Sequence, residues 1–185
     1  MINIGVIGYG YWGPNLVRNF AELDGVTMAA VADLDQKKLD VVKRRYPAAR
    51  VTTRFQDLLE DPSIHAIAIA TPVSTHFDLG MAALKAGKHL WLEKPMTETV
   101  EQGSQLVAAA QERNLVLHVD HTFVYTGAVR RMAEVIKKGD QGQLYYYDSV
   151  RVNLGLFQRN LSVISDLAVH DFAILDYLLG EHPVA

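Results

Sequence analysis

The sequence predicts an α/β protein whose first part is a doubly wound parallel sheet and whose second part is an incomplete α+β domain. Apolar runs of strand length alternate with helical patterns as far as Val119, and repeated βα units of this kind imply parallel strands with helices on both faces. A glycine-rich turn follows the first apolar run directly, and after His121 the alternation stops. We therefore predict domains over residues 1–122 and 123–185.

The first predicted strand, Asn3–Ile7, leads directly into the motif Gly8-x-Gly10-x-x-Gly13. In a strand–turn–helix setting, this spacing is the fingerprint of a Rossmann domain that binds a dinucleotide pyrophosphate. Gly8 permits the tight turn, and Gly10 lets the backbone approach the phosphates. Gly13 lets the following helix pack close to the strand.

The second predicted strand, Val26–Ala32, ends at Asp33, about 20 residues beyond the glycines, where the fold places an acid that binds the ribose. A carboxylate there accepts hydrogen bonds from both ribose hydroxyls and repels a 2′-phosphate, so the sequence favours NAD over NADP. Lys37 and Lys38 leave NADP open, because a nearby cation tolerates the extra phosphate. The alternative for Asp33 is an N-cap of the helix Gln36–Arg45.

The remainder of the first domain continues the alternation of strands and helices. The predicted strands are Arg50–Thr52, Ala66–Ala70, His89–Leu92 and Leu115–Val119, and the predicted helices are Gln36–Tyr46, Asp57–Glu60, Thr75–Ala86 and Thr99–Arg113. Ala66–Ala70 is continuously apolar, which is typical of a strand buried on both faces. Ligands of doubly wound sheets bind beyond the carboxyl ends of the strands. Polar residues follow those ends at Thr71–His76, Glu93–Pro95 and Asp120-His121.

The second domain follows a different pattern. It predicts a helix over Gly127–Lys138, a strand over Gln143–Leu154 with one apolar face, and a helix over Asp166–Leu179. A strand of this length with one apolar face needs neighbours, because soluble proteins avoid exposed edges of that kind, and the last residues supply no obvious neighbour. We therefore expect a truncated substrate domain, with a possible homo-oligomer formed through the strand 143–154.

Composition excludes several classes of protein. The chain of 185 residues is 49% hydrophobic and has a net charge of −3, which is ordinary for a globular protein and argues against a nucleic-acid-binding surface. It has no cysteine and no H-x-x-x-H pair, so we predict no disulfide and no metal site. The chain begins directly with a strand, and no apolar stretch is long enough to span a bilayer. We expect a cytoplasmic protein without membrane partners.

With these residues placed, the whole chain resembles the Gfo/Idh/MocA-like oxidoreductases, the family of glucose-fructose oxidoreductase and inositol dehydrogenase. Besides the glycine motif, the resemblance rests on Thr71-Pro72 with His76, on Glu93-Lys94-Pro95, and on Asp166-x-x-x-His170-Asp171. Asn153–Gln158 is also similar to members that act on nucleotide-linked amino sugars. The resemblance implies a nicotinamide cofactor and a sugar or nucleotide-sugar substrate.

The resemblance also implies roles for the most specific residues. Lys94 would contact the nicotinamide ribose and the substrate hydroxyl, where a cation stabilises developing negative charge; the alternative is a surface lysine at a helix start. Glu93 would contact the nicotinamide or orient Lys94, unless the two form a simple ion pair. His170 is the predicted general acid–base group, because imidazole titrates near neutrality; the alternative is a buried structural histidine. In a helix, Asp166 shares a face with His170 and could orient it or hold a sugar hydroxyl.

Other predicted cofactor contacts lie at the same strand ends. Thr71 and Pro72 are expected to form the turn under the adenosine or the pyrophosphate. His76 is expected near the nicotinamide ribose, with a helix cap as the alternative. Tyr11 and Trp12 lie within the predicted phosphate loop, where Trp12 offers a backbone N–H.

Two hypotheses of function follow from the sequence. In the first, the protein is an NAD-dependent oxidoreductase: a substrate hydroxyl gives its proton to His170, assisted by Lys94, while a hydride passes to the nicotinamide. In the second, the chain is a truncated dinucleotide-binding module without turnover of its own, as the missing sheet suggests. His121 and Phe123 follow the last predicted strand of the first domain, where the family frequently places substrate contacts; packing between domains is the alternative.

Overall fold

Two units make up the part of the chain that the computed structural model describes, which comprises residues 1–151 and 162–181. The first unit spans Met1–Asp120 and the second His121–Ala185. No helix among the described residues is both long and apolar enough to cross a membrane. The segment that is similar to nucleotide-sugar members of the family, Asn153–Gln158, lies outside the described residues.

A six-stranded parallel sheet forms the centre of the first unit, and its strands follow the predicted apolar runs. The strands are β1 (Ile2–Ile7), β2 (Val26–Ala32), β3 (Arg50–Thr52), β4 (Ala66–Ile69), β5 (His89–Leu92) and β6 (Leu117–Val119). Their order across the sheet is β3-β2-β1-β4-β5-β6, with every neighbouring pair parallel. This is the doubly wound order in which the strand sequence reverses between β1 and β4. The predicted α/β fold of Rossmann type is confirmed.

Five helices accompany these strands. They are α1 (Gly13–Glu22), α2 (Gln36–Arg45), α3 (Gln56–Leu59), α4 (His76–Lys85) and α5 (Val100–Glu112). Side chains cap two of them: Asp35 accepts a hydrogen bond from the Lys37 N–H at 2.9 Å before α2, and Thr99 accepts one from the Gln102 N–H before α5. Because Asp35 holds the cap position of α2, the alternative interpretation of Asp33 as that cap is wrong.

Both faces of the sheet are buried, which explains why β4 is apolar throughout. Ile67 and Ile69 pack into one apolar cluster with Leu90 and Leu92, whereas Ala68 between them belongs to a second cluster. Successive side chains of a strand point to opposite faces, so a strand covered on both sides has no polar position. Burial of each large aliphatic side chain contributes about 1.5–3 kcal/mol, and together these contacts hold the strand ends in register.

The turn after β1 brings backbone close to backbone at two glycines. Gly8 has a φ of 98°, a conformation that L side chains rarely adopt, and a Cβ there would lie 2.7 Å from the carbonyl oxygen of Ala70. A Cβ on Gly13 would overlap the carbonyl oxygen of Gly8. Helix α1 therefore packs against the turn at a distance that only glycine permits.

The second unit contains α6 (Gly127–Lys138) and α7 (Val169–Leu179). The two helices pack against each other through Val129, Ile174 and Leu178. Both helices end at the residues that the sequence predicts, and each is closed by a glycine in the left-handed conformation, which satisfies the last carbonyl groups of a helix.

The prediction of a strand over Gln143–Leu154 is wrong for residues 143–151, which form neither strand nor helix. Residues 152–154 lie outside the described residues. A strand needs a neighbour that pairs with its N–H and C=O groups. The second unit has no strand among its described residues. Residues 143–151 therefore have no neighbouring strand with which to pair, although their polar and apolar side chains alternate. The predicted homo-oligomer through residues 143–154 is not tested by this finding and stays a prediction.

We predict that Gly13→Ala lowers the free energy of unfolding of the first unit by about 1–3 kcal/mol or more, because the added methyl group displaces α1 from the turn. Gly10→Ala is the matched control, since a Cβ at Gly10 would meet no atom within 4 Å. Chemical denaturation of the two variants measures the difference. Equal stability of both variants with the unmodified protein would contradict the close packing described above.

Candidate functional site

The glycine turn, Gly8–Gly13, offers open backbone at its centre. Gly10 is exposed, and a Cβ there would have no neighbour within 4 Å, so a ligand can approach this peptide. Helix α1 begins after Trp12 with no side chain capping its first turn, and the start of such a helix attracts anions through its N–H groups and dipole. Tyr11 and Trp12 are 80% and 39% exposed. The turn therefore fits a pyrophosphate.

Asp33 links the end of β2 to the glycine turn. Its Oδ2 accepts a hydrogen bond from the Tyr9 N–H at 2.7 Å, and its Oδ1 accepts one from the Asp35 N–H at 2.9 Å. Lys38 Nζ lies 3.6 Å from Oδ2. The acid that the sequence assigns to the ribose thus also braces the turn that it assigns to the pyrophosphate, and it has a cation beside it.

His76 fastens the turn after β4 to the turn after β5. It is 1% exposed, its Nε2 lies 2.9 Å from the carbonyl oxygen of Thr71, and its Nδ1 lies 3.0 Å from that of Pro95. Burial lowers the pKa of His76, and the hydrogen bonds to carbonyl oxygens oppose this effect. Thr71 and Pro72 lead into a short 3-10 turn, Val73–Thr75, ahead of α4. His76 therefore supports this turn from inside the protein, with both ring nitrogens engaged by backbone.

Strands β5 and β6 end in two acidic side chains that the sheet brings together. Leu92 pairs with Val119 in the parallel ladder, so the next rung carries Glu93 and Asp120. The Asp120 N–H donates to the Leu92 carbonyl at 2.9 Å, which extends the ladder to this rung. The two side chains are hydrogen-bonded to each other, and Asp120 is only 6% exposed. Asp120 has no role among the sequence-based predictions. The signal that could have found it is that Glu93 and Asp120 directly follow the ends of two predicted strands.

The surroundings of Glu93 favour its protonated form. Burial, together with the charge and hydrogen bond of Asp120, raises the pKa of Glu93 to about 8, against a smaller lowering by Lys94. Two adjacent buried carboxylates cannot both ionise easily. Glu93 Oε1 is buried and has no hydrogen-bond partner among the described residues. The pair thus holds a proton at neutral pH and leaves one buried acceptor.

In the second unit, the predicted acid–base residues surround the start of α7. His170 is 7% exposed, and its ring packs edge-to-face against Phe123, with 4.7 Å between ring centres and 70° between ring planes. Asp166 belongs to a π-helical turn, Ile164–Ala168, directly before α7, and such turns are frequent at functional sites. The helical path from Asp166 to His170 is continuous, as the predicted common face requires.

Asp171 anchors the neighbourhood of His170 through an ion pair. Its carboxylate accepts a hydrogen bond from Arg151 Nε at 2.7 Å and another from Ser149 Oγ at 2.8 Å. The hydrogen bond from Arg151 is the main cause that lowers the pKa of Asp171. The Arg151 guanidinium also lies 4.7 Å from the centre of the Phe123 ring, a cation–π distance. Arg151 therefore ties Asp171 to the ring that packs on His170.

The predicted site residues fall into two groups. One group lies at the carboxyl ends of strands in the first unit and comprises Gly8, Gly10, Tyr11, Trp12, Gly13, Asp33, Thr71, Pro72, His76, Glu93 and Lys94. The other lies around the start of α7 in the second unit and comprises Asp166 and His170. In the described part of the chain, no three His, Asp or Glu side chains are grouped so that they could hold a metal ion.

Comparison with known proteins places this geometry among oxidoreductases. Residues 2–121 match the family model described as an oxidoreductase family with an NAD-binding Rossmann fold, Gfo/Idh/MocA. The chain superimposes on a solved structure of YvaA from Bacillus subtilis with a TM-score of 0.83 and 27% sequence identity, covering 97% of this chain and 53% of that one.

Curated relatives are longer than this chain. It is 31% identical over 146 residues to the scyllo-inositol 2-dehydrogenase (NADP(+)) IolW of Bacillus subtilis, a match covering 79% of this chain and 40% of IolW. It is 31% identical over 183 residues to the UDP-N-acetylglucosamine 3-dehydrogenase of Acidithiobacillus ferrooxidans, a match covering 97% of this chain and 55% of that enzyme. The chain thus spans about half the length of the curated relatives it matches.

We predict that Glu93→Gln flattens the pH dependence of stability. The ordinary pKa of glutamate is 4.5, whereas that of Glu93 in the folded chain is about 8. Between these values the folded state holds a proton that the unfolded state has lost, so the free energy of unfolding falls as pH rises from about 4.5 to 8. Glutamine does not titrate, so the variant avoids this loss of stability. At pH 8 the variant should be more stable than the unmodified protein by about 1–3 kcal/mol.

Denaturation at several pH values between 5 and about 8 measures this difference. Glu98→Gln is the matched control, because Glu98 is exposed and its substitution should leave the slope unchanged. If Glu93→Gln and Glu98→Gln show the same slope as the unmodified protein, Glu93 does not keep its proton in the folded state.

Proposed function

Since the chain belongs to the Gfo/Idh/MocA oxidoreductases, the family with an NAD-binding Rossmann fold, we propose that it binds NAD and transfers a hydride between the nicotinamide and a hydroxyl-bearing carbon of a sugar or nucleotide-sugar. The observation that carries the proposal is the convergence of an open glycine turn, Asp33 and Glu93-Lys94 at the carboxyl ends of one parallel sheet. Ligands of such sheets bind at these ends.

The residues of the first unit fit a nicotinamide dinucleotide. The exposed Gly10 peptide and the uncapped start of α1 suit the pyrophosphate, and Asp33 would hold the adenosine ribose. The buried Glu93 Oε1 has no donor among the described residues, and the carboxamide N–H of a nicotinamide would supply one. Thr71 and Pro72, supported by His76, would line the turn between these regions.

NAD is the proposed cofactor in preference to NADP. The Asp33 carboxylate is fixed by two backbone N–H groups, and a fixed negative charge repels a 2′-phosphate. Lys38 lies 3.6 Å from the same carboxylate, so its charge is directed toward Asp33. The relative IolW carries NADP(+) in its name, so the Kd values for the two cofactors test this preference.

Lys94 and His170 carry the proposed chemistry. When bound, the nicotinamide accepts a hydride during oxidation and returns it during reduction. Lys94 would stabilise the charge that develops on the substrate oxygen. His170 would take the hydroxyl proton and return it in the reverse direction, and Asp166 would position its ring or hold a sugar hydroxyl. Phe123 packs on the His170 ring and limits its rotation.

The names of the two relatives support the proposed substrate class. They name an inositol and a UDP-linked amino sugar, and both compounds carry secondary hydroxyl groups on a six-membered ring. We extend this class to the present chain as a sugar or nucleotide-sugar. Oxidation of a secondary hydroxyl requires a base for its proton and a cation near its oxygen, which are the roles proposed for His170 and Lys94.

A second candidate function is a dinucleotide-binding module without turnover of its own. It is favoured because the residues that fit the dinucleotide all lie at the carboxyl ends of the strands of the first unit, so that dinucleotide binding needs no residue of the second unit. The two candidates differ in one observation. When the chain is mixed with NAD and candidate sugars, an increase in the absorbance of reduced nicotinamide supports turnover, whereas measurable NAD binding without that increase supports the module.

We predict that Lys94→Ala lowers turnover at least about 100-fold, because a cation is lost where negative charge develops, and that it changes the Kd for NAD much less. Lys85→Ala is the matched control, since Lys85 is an exposed residue in the last turn of α4. Steady-state rates and calorimetric NAD titrations test this. Near-normal turnover of Lys94→Ala would refute the assigned role.

We predict that Asp33→Ser weakens NAD binding by about 10- to 100-fold, the loss expected for a charged hydrogen bond, and weakens NADP binding less. Asp40→Asn, at an exposed site of α2, is the control. The ratio of the two Kd values is the informative quantity. An equal loss for NAD and NADP would mean that Asp33 acts only by bracing Tyr9 and does not select the ribose.

A further inference from the structure

Asp120 lies at the candidate site but has no role in the proposed function. It lies one rung beyond the last paired residues of β5 and β6, beside Glu93. Paired residues of neighbouring parallel strands share a face of the sheet and lie within about 5 Å of each other. The rung two residues earlier shows the same geometry, since the rings of Trp91 and His118 stand 4.3 Å apart. The contact between the two carboxyl groups is therefore imposed by the ladder.

Because this contact is buried, it affects the ionisation of the two carboxyl groups. Asp120 is 6% exposed, and Glu93 Oε1 is buried without a hydrogen-bond partner among the described residues. Two carboxylates so placed repel each other strongly unless one proton is shared between them. A proton shared between the two carboxyl groups leaves Glu93 Oε1, which has no hydrogen-bond partner among the described residues, as an acceptor.

We propose that Asp120 is a positioning residue of the nicotinamide site: it shares one proton with Glu93, and by doing so fixes the Glu93 carboxyl group with Oε1 directed to the cofactor. This inference rests on the proposed function. Asp120 touches neither reactant and acts through Glu93. Asp120 also affects the charge of the site. The Glu93–Asp120 pair carries one negative charge while the shared proton is present and two after it leaves.

Because the charge of the Glu93–Asp120 pair changes with pH, the affinity for the cofactor should also change with pH. The charged groups that act on Glu93 are Asp120, whose charge raises the pKa of Glu93, and Lys94, whose charge lowers it; His118 lies two residues earlier on the same face, against Trp91. A second negative charge favours the cationic ring of NAD⁺. We expect the affinity for NAD⁺ to rise about fivefold to tenfold as the pair loses its proton near pH 8.

The direct test is a ¹³C NMR titration of glutamate side-chain carboxyl groups in the cofactor-free chain, with the Glu93 signal assigned by Glu93→Gln. In the unmodified protein Glu93 should titrate near pH 8. Asp120→Asn should lower this midpoint by at least about one pH unit, because the neighbouring charge is lost. The control Asp24→Asn, at an exposed turn residue, should leave it unchanged.

Two results of this titration overturn the proposal: an ordinary midpoint for Glu93 in the unmodified protein, or an unchanged midpoint in Asp120→Asn. Asp120→Ser also removes the charge and serves if Asp120→Asn does not fold, as judged by circular dichroism. If neither variant folds, the Asp120 carboxyl signal of the unmodified protein decides the matter: a change at the Glu93 midpoint supports the shared proton, and no change there overturns it.

A second measurement separates this inference from the proposed function. The Kd for NAD⁺ is determined across the same pH range for the unmodified chain and for Asp120→Asn. A step in affinity that follows the Glu93 midpoint in both proteins supports the positioning role, and a step that stays in place in Asp120→Asn overturns it. Absence of NAD⁺ binding at every pH overturns the proposed function and the cofactor role of Asp120, while the NMR titration still reports whether the proton is shared.

Discussion

The parallel register of the first unit is the constraint on which the candidate site depends. Because neighbouring strands run in the same direction and are held by apolar side chains on both faces, their carboxyl ends form a single edge. At this edge Asp33 bonds to the glycine turn, His76 joins the turns after β4 and β5, and Glu93 meets Asp120. Each link crosses from one strand end to another, so a shift in register would break it.

Local patterns predicted the elements of the first unit, since glycine spacing and continuous apolar runs have direct physical causes in turns and doubly buried strands. Contacts between residues at the ends of different strands were harder to predict from the sequence. The bond from the Tyr9 N–H to Asp33 depends on how one peptide in the turn is oriented. The pairing of Glu93 with Asp120 depends on strand register, which the sequence of either strand alone does not contain.

The second unit shows why the same reasoning failed there. Alternating side chains predicted a strand at 143–154, but residues 143–151 form none, because a strand exists only as part of a ladder. What the sequence did not indicate is a cluster built from side chains. Arg151 binds Asp171 and lies against Phe123, and Phe123 packs on His170. These residues are separated in the sequence, so their support of the proposed base becomes visible only in three dimensions.

We expect the carboxyl edge of the sheet to bind a nicotinamide dinucleotide in one defined orientation. A crystal structure of the chain grown with NAD would reveal that orientation. We expect the pyrophosphate against the Gly10 backbone and the start of α1, the adenosine ribose at Asp33, and the carboxamide within hydrogen-bond distance of Glu93 Oε1. A dinucleotide bound elsewhere, or bound with its nicotinamide at Asp33 and its adenosine at Glu93, would contradict it.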